Sequence, residues 1–176
     1  MQKKEKIFLI GPMGAGKTTI GRHLASFVGL PFIDTDQVIE DRTGADIPWI
    51  FDVEGEEGFR ARESKVLQDV CADDAAVVAT GGGIVMSEEN RKLLAANGLV
   101  VYLAASIEQQ IERTSKDRNR PLLNTDSPEI VIRDLMAVRE SLYVELADIT
   151  RQSDNKNPKS AAQEIAKAIE NSDARD

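Results

Sequence analysis

The sequence predicts an α/β fold in which a parallel β-sheet carries helices on both faces. Three observations predict it. Short apolar runs recur along the 176 residues, separated from one another by helix-length stretches. The first run, 7–10, leads straight into Gly11-x-x-x-x-Gly16-Lys17-Thr18, a complete phosphate-binding loop. Several of the helical stretches also open on recognisable start signals.

In chain order, the strand 7–10 feeds the loop and then a helix over 17–30. Glycines let successive backbone N–H groups of this loop point at phosphate oxygens, and the helix N-terminus adds partial positive charge there. Lys17 can reach the β- and γ-phosphates, and the Thr18 hydroxyl can ligate Mg²⁺. A Gly-rich turn could match this pattern by chance, but not with a strand before it and a helix after it. The chain is therefore expected to bind a nucleoside triphosphate. A second strand, 31–33, ends at Asp34-Thr35-Asp36, where ligands collect in doubly wound sheets. One carboxylate can hold Mg²⁺ and the other can polarise a substrate hydroxyl; an acidic cap on a helix over 38–43 is the plainer alternative.

The polar stretch 43–58, carrying Trp49 and Phe51, interrupts the alternation. It merges into a block from Phe51 to Glu63 in which aromatics, acids and arginines surround glycines. Arg60 there suits bidentate recognition of a planar carboxylate, unless it and Arg62 only pair with Glu56, Glu57 or Glu63 on a helix surface. A third strand, 76–79, precedes Thr80-Gly81-Gly82-Gly83, whose bare backbone can approach a ligand, though a flexible turn would also explain it. After a strand at 99–103, Ser106 and Gln109 form a capping box. The segment 115–126 is dense in charge, with Lys116, Arg118 and Arg120, and is a natural lid or else an ordinary surface loop. Ser127-Pro128-Glu129 starts a further helix, a fifth strand spans 148–152, and Ser160 with Gln163 is expected to cap the last helix.

Bulk properties narrow the function. Thirty acidic against 22 basic residues give a net charge of -8, which disfavours nucleic acid as a partner. No apolar stretch reaches membrane-spanning length, and the run 7–10 is too short for a signal-peptide core. The single cysteine, Cys71, fits a reducing cytoplasm and a structural thiol. The single histidine, His23, is expected to face solvent, so histidine-based acid–base chemistry is not anticipated. With no repeat, linker or evident apolar stripe, one domain over 1–176 and a monomer are expected. Asn155-Lys156-Asn157-Pro158 has half of a guanine-reading motif but proline where the aspartate belongs, which favours a small-molecule kinase over a guanine-nucleotide switch.

Taken together, the loop from Gly11 to Arg22, Asp34-x-Asp36, the Phe51–Glu63 block, Ala79-Thr80-Gly81-Gly82-Gly83, Arg120-Pro121-Leu122-Leu123 and Arg139-x-x-x-Tyr143 resemble the shikimate kinases. The motifs occur in the family's order over nearly the whole chain. The resemblance implies a P-loop NTPase of the nucleoside-monophosphate-kinase type, with five parallel strands in the order 2-3-1-4-5, a substrate-binding insertion at about 34–62 and a lid at about 115–126. It implies ATP-dependent phosphorylation of the shikimate 3-hydroxyl, with Mg²⁺ and a cytoplasmic location. By the same resemblance, Gly14, Ala15, Gly16, Lys17, Thr18 and Thr19 cradle ATP. Thr18 and Asp34 serve the metal, and Asp36 accepts from the reacting hydroxyl. Arg60 and Arg139 clamp the substrate carboxylate, and Gly81, Gly82 and Gly83 contact the substrate through backbone. Arg120 arrives from the lid with Lys17 at the phosphates, Arg113 flanks the adenine, and Lys156 lies in the adenine-edge loop. The rival readings are a kinase of another small hydroxy acid such as gluconate, and a non-catalytic nucleotide-binding regulator.

Overall fold

The computed structural model describes residues 6–117, 120–153 and 157–173. The five strands are β1 (Lys6–Ile10), β2 (Phe32–Asp34), β3 (Val77–Ala79), β4 (Gly98–Ala104) and β5 (Ile149–Gln152). They form one parallel sheet in the order β2-β3-β1-β4-β5, as expected. The helices are α1 (Lys17–Val28), α2 (Thr35–Thr43), α3 (Ile47–Ala72), α4 (Glu88–Asn97), α5 (Ile107–Thr114), α6 (Pro128–Leu146) and α7 (Pro158–Asp173).

Every residue of β1 is buried, because a central parallel strand is covered on both faces. The period of two then sorts its side chains into two cores. Ile7 and Leu9 pack with Ile20 and Leu24 of α1 and with Ala162 and Ile165 of α7. Phe8 and Ile10 pack on the other side with Ile39, Leu67, Leu94 and Tyr143 from α2, α3, α4 and α6.

Two helix starts differ from expectation. Ser160 does not open α7; the Asn157 side chain accepts from the N–H groups of Lys159 and Ser160, so the helix begins at Pro158. An amide three residues earlier won because proline suits the first helical position but cannot continue a turn from upstream. α6 does start at Pro128, yet the Ser127 side chain makes no capping bond. Ser106 caps α5 through the Gln109 N–H, as anticipated. His23 is half-buried rather than solvent-facing, and Cys71 is half-buried near the end of α3.

The polar stretch that interrupted the pattern is mostly helical. Asp46 caps α3 at the Trp49 N–H, Pro48 sits in its first turn, and Gly55 kinks it with φ 73° and ψ 179°. Only glycine adopts that conformation readily, so the helix changes direction there without ending. Across the kink, Glu54 accepts a two-pronged bond from Arg62, at 2.8 Å from Nε and 2.5 Å from Nη2. The rings of Phe51 and Phe59, one on each side of it, lie 4.9 Å apart.

Candidate active site

Register brings the site together. Asp34 of β2 and Leu9 of β1 both pair with Ala79 of β3, so three strands end level. The phosphate-binding loop, the Asp34–Asp36 turn and the triple glycine therefore emerge side by side at the carboxyl edge of the sheet. Thr80 ties the last of these to the first, donating from both its N–H and its hydroxyl to the Leu9 carbonyl.

Two cavities open here. One is lined by Gly14, Gly16, Lys17, Thr18 and Thr19, with Arg113 at its side. Lys17 Nζ donates to the carbonyls of Gly11 (2.7 Å) and Pro12 (2.9 Å). Burial and the nearby Arg120 guanidinium lower its pKa to about 7. Arg113 donates to the Gly14 carbonyl at 3.0 Å, which fastens α5 against the loop. Ala15 does not line this cavity: its side chain is in the core, and its N–H is bonded to the Pro12 carbonyl. Lys156 lies outside the described residues.

Asp34 is the acidic helix cap that the sequence offered, and its second oxygen reaches Thr18. Oδ1 caps α2 by accepting from the Asp36 and Gln37 N–H groups, while Oδ2 accepts from the Thr18 hydroxyl at 2.8 Å. Among the described residues there is no cluster of three or more His, Cys, Asp or Glu side chains able to hold a metal. A Thr hydroxyl beside one carboxylate nevertheless fits Mg²⁺, which keeps most of its shell as water and phosphate oxygen.

The second cavity lies against Phe51, Phe59, Arg60, Glu63, Gly83 and Arg139. Arg60 bonds Glu63 at 3.0 Å and Glu56 at 3.4 Å, so the helix pairing considered from sequence holds for Arg60, whereas Arg62 pairs with Glu54 across the kink instead. Glu63 is not a surface partner, however, being 1% exposed with its pKa raised by burial. Arg139, 5% exposed, faces the same cavity from α6. At two of the three glycines a Cβ would displace a charged side chain of the site. A Cβ on Gly83 would lie 2.5 Å from the Arg60 guanidinium, and one on Gly81 would lie 2.7 Å from Glu63 Oε2.

Asp36, Gly81, Gly82 and Arg120 line both cavities and form their common wall. Burial first, and the Asp34 charge second, raise the pKa of Asp36. Asp36 Oδ1, Glu63 Oε2 and Arg139 Nε are buried without a hydrogen-bond partner among the described residues. Buried polar atoms seldom stay unpaired, and all three belong to residues that line the second cavity, which makes it a candidate site for a polar ligand. Arg120 is held by Asp117 at 3.0 Å.

Comparison with known proteins agrees with this geometry. Residues 13–170 match the family model described as shikimate kinase. The shikimate kinase of Vibrio campbellii is 55% identical over 170 residues, covering 97% of this chain and 99% of that protein. The chain belongs to the shikimate kinase family. A second member of the family, from Actinobacillus pleuropneumoniae, is 52% identical over 171 residues, covering 97% of this chain and 99% of that protein. The solved structure of the shikimate kinase from Acinetobacter baumannii in complex with shikimate superposes with a TM-score of 0.94 at 48% identity, covering 96% of this chain and 94% of that one. As in the shikimate kinase family generally, this is an ATP-dependent phosphotransferase with an alcohol group as acceptor.

The phosphate-binding loop, both aspartates, the glycines and Arg60, Arg113, Arg120 and Arg139, all anticipated from sequence, lie at this edge. Sequence reasoning missed Glu63 as a buried partner, the Thr80 tether and the apolar seat made by Phe51 and Phe59. The spacing of Arg60 and Glu63, three apart on a helix, was the available signal for the first.

Proposed function

We propose that this protein transfers the γ-phosphoryl group of ATP to the 3-hydroxyl of shikimate, giving shikimate 3-phosphate and ADP on the route to chorismate and the aromatic amino acids. The observation that carries this reading is the common wall: a polyanion site and a two-arginine carboxylate site meet at Asp36 and Arg120. A kinase must bring its two substrates together at one such surface.

The mechanism follows from charge and position. Phosphoryl transfer passes through a loose transition state, so the protein mainly aligns groups and stabilises charge on the transferring oxygens. The backbone from Gly14 to Thr19 cradles the phosphates at the α1 N-terminus. Lys17 leaves the Gly11 and Pro12 carbonyls for the β- and γ-phosphates, whose charge restores its proton. Thr18 and Asp34 would hold Mg²⁺, which would supply charge neutralisation on the phosphoryl oxygens. Arg60 and Arg139 receive the acceptor carboxylate, and the bare backbone at Gly81–83 lets the ring come close. Asp36 takes a hydrogen bond from the reacting hydroxyl through its carboxylate at the common wall and orients it toward the phosphorus. Arg120 neutralises the transferring oxygens from the common wall, and closure of a lid at about 115–126 excludes water. Arg113 flanks the nucleotide beside Gly14.

The protein is inferred to be a cytoplasmic monomer with a substrate-binding insertion at about 34–62, and to take neither nucleic acid nor membrane as a partner. No described helix is long and apolar enough to cross a membrane. ADP release from purified protein with Mg²⁺-ATP, and with shikimate, gluconate or no acceptor, tests the reading. A rise with shikimate alone is expected. Equal rates with gluconate or without acceptor would refute it.

A further inference from the structure

Arg139 and Tyr143 stand one turn apart on α6 and reach the same loop. Tyr143 is fully buried, with its ring stacked on Tyr102 of β4 at 5.1 Å and 22°. Its hydroxyl donates to the Gly82 carbonyl at 2.5 Å. The neighbouring glycines are held differently. The Gly81 and Gly83 carbonyls accept from the N–H groups of Ile84 and Met86 in the 3-10 turn that follows. At Gly82 a side chain from another element takes that place.

Gly82 is also where the two halves of the site touch. A Cβ added to it would lie 3.5 Å from Arg139 Nη1 and 3.6 Å from both the Gly11 carbonyl oxygen and the Met13 nitrogen. Gly82 thus lies between the acceptor guanidinium and the first residues of the phosphate-binding loop, near enough for a side chain there to touch both. Three glycines in a row cannot hold such a position by side-chain packing of their own. A phenylalanine would fill the same core space and keep the stack on Tyr102, so packing alone does not call for a hydroxyl. What the hydroxyl adds is a fixed link from α6 to one peptide of the turn, together with a hydrogen bond from the Arg139 side chain itself.

We propose that Tyr143 is a positioning residue for the acceptor, its hydroxyl holding the Gly82 peptide in register with Arg139 so that the guanidinium and the glycine backbone grip the acceptor together, at a set height above the phosphate-binding loop. Tyr143 is buried beneath the turn and acts through Gly82 and Arg139 rather than on the substrate. The inference rests on the acceptor reading given above.

The test compares wild type, Tyr143→Phe, and a chain carrying 4-aminophenylalanine at position 143, which restores a donor to the same ring position. For Tyr143→Phe the KM for shikimate should rise about tenfold, the size of one lost hydrogen bond, with the KM for ATP within about twofold of wild type. The amino variant should recover most of that loss. A purely structural hydroxyl would lower the melting temperature and leave the two KM values in their original ratio. An unchanged shikimate KM in a folded Phe variant overturns the proposal, as does a rise of equal size in both KM values. A Phe variant that does not fold also overturns it, by assigning the hydroxyl to folding. If wild type itself shows no shikimate-dependent ADP release, the acceptor reading fails first and the inference falls with it.

Discussion

Lys17 carries the plainest single-residue prediction. Lys17→Met should abolish turnover while the circular dichroism spectrum stays that of wild type, because its ammonium bonds only carbonyls of its own loop. Activity near the wild-type rate would remove the loop from the mechanism. Its lowered pKa also has a pH consequence. With a value of about 7, the free protein is largely neutral at Lys17 above that pH, whereas bound phosphates favour the ammonium. ATP binding should therefore take up protons above neutrality, and affinity should fall as pH rises from 7. Isothermal titration at about pH 8.5, in two buffers of different ionisation enthalpy, reads this directly; no proton uptake would contradict it. On the acceptor side, Arg139→Ala should weaken shikimate binding by about 2–5 kcal/mol, since the buried Arg139 is the proposed partner of the acceptor carboxylate. An unchanged KM for shikimate would exclude the clamp. Gly83→Ala should spare the fold but push Arg60 aside, raising that KM roughly tenfold or more.

Among the elements, the kinked helix α3 is the least legible from sequence. The central strands could be read because they are short apolar runs buried on both faces, whereas the edge strands β2 and β5 are only partly buried; the observed ends differ by only a residue or two. The stretch before Gly58 could not, because its helix turns at Gly55 and presents different faces on either side, which cancels the periodic signal. Gly55 faces open space, so Gly55→Ala tests backbone conformation alone. It should destabilise the protein by about 1–3 kcal/mol and lower its melting temperature. No change in thermal unfolding would mean that the kink relaxes freely. The functional residues in this element were legible as chemistry but not as geometry. Arg60 could be chosen as a carboxylate partner from its type, yet its hold on Glu63 depends on burial that only packing reveals. Tyr143 was visible only as part of a motif, since its bond to Gly82 spans 61 positions.

Across the whole molecule, level strand ends turn a linear order of motifs into one surface. The phosphate-binding loop predicted the nucleotide side by its own chemistry; the acceptor side needed residues from α3, the triple glycine and α6 together. Large apolar side chains are exposed at Trp49 and Val53 on α3 and at Ile130, Val138 and Val144 on α6, more than the sequence pattern suggested. A single species of monomer mass is still expected in light scattering at micromolar concentration, and a dimer would correct that reading. The common wall has a consequence for inhibition. A nucleotide and an acceptor mimic joined by a short tether across Asp36 and Arg120 would surrender translational freedom once instead of twice. The second half would then arrive at an effective concentration set by the tether rather than by the solution, so the joined molecule should bind far more tightly than either half.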